Sequence, residues 1–118
     1  MGFPETQKFI AEIKKLHPNY KVLGYAREST QGKESIVALR GLVWELKAAG
    51  CDRVVGERIS GFSGVYRRWL EWAIAQIKLG NYHVLVIPSV TRLSRRFLGN
   101  IETQELLDGL GCILYCME

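Results

Sequence analysis

No apolar run in the sequence approaches the roughly 20 residues that a helix needs to cross a bilayer, so a membrane-spanning role is not expected. Cysteine is scarce: Cys51, Cys112 and Cys116 are the only three. An odd count and no secretory signal argue against a disulfide framework and for a reducing compartment, the cytoplasm. Cys112 and Cys116 flank Ile113, Leu114 and Tyr115. At strand spacing they point the same way, which reads as core filling. No histidine or aspartate stands beside them to complete a zinc site. The two histidines, His17 and His83, are isolated in the sequence, so no metal and no cofactor is expected.

Nucleotide-binding signatures are missing too. Gly-x-Gly-x-x-Gly is absent. Gly32-Lys33 looks like the end of a P-loop, but Arg27 stands where its first glycine belongs and no Ser or Thr follows Lys33. Met1-Gly2 with Thr6 formally fits a myristoylation pattern, short enough to read as chance beside Pro4. Acidic charge is in the minority, with 12 Asp and Glu against 16 Lys and Arg, a formal net charge of +4. That balance suits a polyanionic partner without demanding one.

What is present reads as one α/β domain of 118 residues. Residues 1–20 are an N-terminal helical extension, with Phe9, Ile10, Ile13 and Leu16 as one apolar stripe. Strands are expected at 21–27, 53–57, 83–90 and 112–117. Helices are expected at 34–49, 68–79 and 100–110, each followed by a glycine stop (Gly50, Gly80, Gly111). The apolar face of the first of these is Ile36, Leu39, Val43 and Leu46. Residues 58–66, with two glycines and two serines, read as a mobile loop. Strands alternating with helices predict a three-layer sandwich around a mainly parallel sheet of about four to five strands.

Open α/β sheets carry their sites beyond the carboxyl ends of the strands. The segments after the first three strands hold Arg27 and Ser29, then Ser60 and Arg67, then Arg92, Arg95 and Arg96. Arginines around a serine describe a phosphate site. Guanidinium groups are permanently charged and bind phosphate oxygens in pairs, and a serine hydroxyl can attack phosphorus to form a covalent intermediate.

Four segments in order then resemble one family. Tyr25-Ala26-Arg27-Glu28-Ser29-Thr30 is similar to the Tyr-x-Arg-x-Ser-Thr signature of serine recombinases of the resolvase/invertase type. Ser60-Gly61 resembles the family's mobile-loop Ser-Gly. Arg67-Arg68-Trp69-Leu70 resembles its Arg-Pro-x-Leu, and Arg92-Leu93-Ser94-Arg95 its Arg-Leu-x-Arg.

The resemblance covers residues 21–118 and implies a resolvase-like fold and a catalytic domain that cleaves and rejoins DNA strands. Ser29 would be the nucleophile, leaving a 5′-phosphoserine and a free 3′-hydroxyl. Arg27, Arg67, Arg92 and Arg95 would hold the phosphate, with Tyr25, Ser60 and Thr91 in support. Arg68 and Arg96 read first as solvated charges and, within the resemblance, as DNA contacts. It further implies DNA as partner and a homodimer or homotetramer for the full-length protein. The helix that pairs subunits and the recognition domain of family members are expected to be absent from this chain.

Three departures stand out. Thr91 replaces the acid that usually precedes Arg-Leu-x-Arg. Leu39 stands near where a helix glutamine is usual. Only Gln31 can serve for the glutamine before that helix. A second reading therefore stays beside the first: a catalytically weak relative acting as a DNA- or subunit-assembly module. A phosphatase on the same fold is more remote, since no Cys-x5-Arg loop is present. For Ser29 the competing reading is a turn or cap residue. For Trp44, Trp69 and Trp72, packing at a helix flank or a subunit contact competes with base stacking.

Overall fold

A computed structural model describes residues 3–28, 34–58, 68–88 and 105–117. The order is α1 (Phe3–Leu16), β1 (Val22–Glu28), α2 (Glu34–Ala49), β2 (Arg53–Arg58), α3 (Arg68–Lys78), β3 (Val84–Ile87), a helical stretch at 105–109, and β4 (Ile113–Cys116). The four strands form one sheet in the order β2-β1-β3-β4, and every pairing is parallel.

Burial explains the strand sequences. β1 is buried along nearly its whole length and β3 along all of it. This is the near-continuous apolar pattern of strands covered on both faces. Successive side chains alternate between two cores. Leu23, Tyr25, Val55, Leu85 and Ile87 pack with Leu70, Ala73 and Ile77 of α3 and with Leu107. Val22, Ala26, Val84 and Val86 pack with Leu46 and Ala49 of α2 and Ile10 of α1. The expected sandwich is therefore present, with one core on each face of the sheet.

Three helical segments end in the same way. Gly50, Gly80 and Gly111 have φ of 112°, 82° and 74°, a left-handed conformation that only glycine adopts without cost. In each, the residue after the glycine donates back to the last turn: Cys51 to Leu46, Asn81 to Gln76 and Cys112 to Leu107. These are Schellman stops, which satisfy carbonyls that a helix end would otherwise leave orphaned.

At the opposite, amino edge, Val22 and Asp52 exchange two bonds. The Asp52 N–H donates to the Val22 carbonyl at 2.8 Å, and the Val22 N–H donates to Asp52 Oδ2 at 2.7 Å. Lys14 of α1 pairs with Asp52 Oδ1 at 2.6 Å. Burial pushes the Asp52 carboxyl up, but the bonds from Lys14 and Val22, with the charges of Lys14 and Lys21, outweigh it and hold it below its ordinary value.

Some expectations need correction. Leu16, the last residue of α1, is 72% exposed, so the packed α1 stripe ends at Ile13. Ile36 is also exposed, because the inward face of α2 is set by Leu39, Leu42, Val43 and Leu46. His17 and His83, far apart in sequence, are brought together by Tyr20, which stacks on both rings, at 4.2 and 4.6 Å between centroids. The third strand stops at Ile87 and Pro88 forms a bend, since proline has no N–H to give a ladder. Its expected continuation at 89–90, the expected helix start at 100–104, and residues 59–66 of the expected loop lie outside the described residues.

Candidate active site

All four strands run the same way, so β1, β2 and β3 deliver their carboxyl ends to one edge, at Glu28, Arg58 and Ile87. Two of the expected site residues are described there in full. Tyr25 is completely buried and Arg27 is 7% exposed. Along β1, Leu23, Tyr25 and Arg27 share the face turned to α3. Burying a guanidinium is costly unless its surroundings satisfy it, so a buried arginine directly before the Glu28-Ser29 step marks this edge as polar by design.

The centre of the described edge is a residue that sequence reasoning passed over. Glu57 is the register partner of Arg27 across the β1–β2 pair. Its carboxylate accepts the Tyr25 hydroxyl at 2.6 Å on Oε2. It also accepts the N–H of Trp69 at 3.1 Å on Oε1 and the N–H of Leu70 at 3.2 Å on Oε2. Glu57 thus caps α3 from outside the helix. It satisfies two N–H groups that a helix start leaves open, and it sets negative charge at the positive end of the dipole. One carboxylate ties β1, β2 and the start of α3 together.

The signal for Glu57 was present in the sequence. In Arg53-Val54-Val55-Gly56-Glu57 it shares the parity of Val55, the inward position. An acid at an inward strand position needs a partner, and Tyr25 and an incoming helix are what the adjacent elements supply.

Arg68 opens α3 as expected. Ser29, Ser60, Arg67, Thr91, Arg92, Arg95 and Arg96, together with Gln31, lie outside the described residues. The tryptophans divide. Trp69 and Trp72 meet edge to face at 5.8 Å, and the Arg53 guanidinium sits 4.8 Å from the Trp72 ring centre. Trp44 on α2 is 67% exposed. Cys112 and Cys116 both pack with the α3-side core, which fits core filling.

The architecture is that of an α/β domain whose inner strand β1 brings the buried Arg27 to the carboxyl edge of a parallel sheet. A family model described as "Resolvase, N terminal domain" matches residues 22–118. The chain belongs to that family, a recombinase class of domain.

Solved structures agree on the fold. The first ORF in transposon ISC1904 from Sulfolobus solfataricus P2 superposes with a TM-score of 0.66 at 20% identity, over 83% of this chain and 67% of that one. The C-terminal catalytic domain of ISC1926 TnpA, an IS607-like serine recombinase, gives 0.65 at 22%, over 83% and 70%. The N-terminal catalytic domain of TP901-1 integrase gives 0.61 at 20%, over 82% and 77%. No match was found among curated proteins. Among the described residues no helix is long and apolar enough to cross a membrane.

Proposed function

We propose that the chain is the catalytic domain of a site-specific DNA recombinase, working through a 5′-phosphoserine at Ser29. The Ser29 oxygen attacks a backbone phosphorus as its proton leaves. The bond from phosphorus to the 3′ oxygen breaks, and the 3′ oxygen departs as a hydroxyl. Rejoining reverses these steps with a new 3′-hydroxyl. Arg27, Arg67, Arg92 and Arg95 hold the phosphate and stabilise its developing charge. Tyr25, Ser60 and Thr91 support them, and Arg68 and Arg96 contact neighbouring DNA. Residues 21–118 form the catalytic unit and residues 1–20 an extension of it. The working protein acts as a homodimer or homotetramer in the cytoplasm.

The observation that carries this reading is the buried Arg27 at the polar strand edge, joined to Glu57 by register and followed two residues on by Ser29. Together with the resolvase-domain match, it favours phosphoryl chemistry on DNA over a bare structural module. The test is a denaturing gel for a protein–DNA adduct on nicked DNA, with the domain carried on the dimerisation helix and DNA-binding domain of a relative. The parent should form the adduct and Ser29→Ala should not, while DNA binding survives. An adduct that persists in Ser29→Ala removes the assignment. No adduct from the intact protein favours the assembly-module reading instead.

A further inference from the structure

An open groove of about 340 Å³ lies along the seam between α2 and the edge strand β2, on the face of the sheet opposite α3. Leu39, Val43 and the Trp44 ring form one wall, and Val54 and Gly56 form the other. Gly56 lets α2 lie close on β2: a methyl there would stand 3.1 Å from both Leu39 and Val43. Trp44 is 67% exposed and Val37, two turns away on the same helix, 71%. Large apolar side chains gathered on one exposed helix face are a mark of an interaction surface.

Charge selects the occupant. Arg40 and Lys47 stand on the groove two helical turns apart, on either side of Trp44. Among the described residues neither has an ion-pair partner, and no carboxylate lines the groove. A second copy docked by a two-fold axis through this face is disfavoured. An antiparallel α2 pair centred on Val43 and Trp44 would set Arg40 of one copy against Lys47 of the other at both ends. Like charges juxtaposed across an interface are repelled. A nucleic-acid backbone would match the cations but leave the apolar walls unused.

We propose that the α2–β2 groove docks an acidic peptide segment of another protein. An apolar anchor, leucine or phenylalanine, lies between Trp44 and Val54, and flanking carboxylates meet Arg40 and Lys47. This is the helix-face mode of peptide recognition, in which anchors give affinity and rim charges give selection. The surface is separate from the strand edge that carries Arg27, so it serves recruitment rather than chemistry.

The probe is a short synthetic peptide of aspartates and glutamates with two leucines one helical turn apart, titrated into the intact chain and followed by the Trp44 indole N–H resonance. Saturable shifts at Trp44 and Val43 are expected. Arg40→Glu/Lys47→Glu should weaken binding by roughly tenfold or more. Both side chains are exposed, so the fold should survive their reversal. Three results would overturn the proposal: no shift at Trp44, equal binding of the same peptide with lysines in place of its acids, or displacement of the peptide by a DNA duplex binding the same residues. Concentration-dependent dimerisation abolished by Trp44→Glu would likewise transfer the groove to a second copy. None of these depends on the Ser29 adduct, so either reading can fail alone.

Discussion

Tyr25 donates its phenolic hydrogen to Glu57 across the β1–β2 pair at 2.6 Å, while the same carboxylate holds the first turn of α3. The two residues act as one unit. Tyr25→Phe should destabilise the domain by about 1 kcal/mol, the net worth of one hydrogen bond. Glu57→Ala should cost more, about 2–3 kcal/mol, because two helix N–H groups lose their acceptor as well. The double variant should be less destabilised than the sum of the singles. Urea denaturation of the four proteins measures this, and strict additivity would show that the pair is not coupled.

The chemistry should respond to the arginines differently from the serine. Arg92→Ala or Arg95→Ala should slow adduct formation by a factor equivalent to about 3 kcal/mol, the typical loss for one donor to a developing oxyanion. Binding to DNA should fall only modestly. EDTA should leave the rate unchanged if, as proposed, the arginines supply the positive charge. Thr91→Asp should raise the rate if the missing acid limits it. Single-turnover kinetics on nicked DNA would separate these effects, and a rate abolished by EDTA would contradict the metal-free reading.

Affinity for DNA should be weak, steeply salt-dependent and indifferent to sequence for residues 1–118 alone. Phosphate contacts supply affinity through counterion release, while base contacts supply specificity. A salt titration on specific and scrambled duplexes checks this. Tight binding confined to one sequence would require a base-reading element within these residues.

Stability should fall in acid through Asp52. Its folded carboxyl sits below its ordinary value. The stability it supplies is therefore complete above the unfolded carboxylate value of about 3.9 and is lost as pH drops through the folded one. Asp52→Asn should lower stability near neutral pH by about 1 kcal/mol or less, and the two proteins should converge in strong acid. Urea midpoints across the acid range report it.

The thiols should be quiet in the folded protein. Burial, with the neighbouring Asp52 charge, pushes Cys51 up to about 12, and burial takes Cys112 to about 11. Thiolate is the reactive form, so both should resist alkylation near neutral pH and react once denaturant unfolds the chain. Mass mapping of labelled peptides distinguishes them from Cys116.

The sheet was legible because β3 is written as an unbroken apolar run, because β1 carries no charge before Arg27, and because Gly50, Gly80 and Gly111 punctuate the helices where left-handed residues are required. Arg27 and Tyr25 were legible as part of a motif. Glu57 belongs to no motif the chain displays; only its inward parity in β2 marked it, and its partners are fixed when α3 returns to the sheet and brings Trp69 and Leu70 beside it. The same limit applied to Ile36 and Leu16. Helical periodicity gives the face of a helix but not how far the neighbouring element extends along it. Tyr20 between two histidines was hidden for a related reason, since His17 and His83 are 66 positions apart in sequence.

The strand order has a consequence for how the chain is made. β1 is central, yet its register partners are Arg53–Arg58 on one side and Val84–Val86 on the other. During synthesis the strand that precedes Ser29 leaves the ribosome first, and it waits with one edge open until more than fifty further residues have emerged. Its apolar residues spend that interval without their native cover, and pairing across such separations is slow compared with helix formation. A strand buried along nearly its whole length in the finished domain is thus the one left longest without its full cover while the chain is nascent.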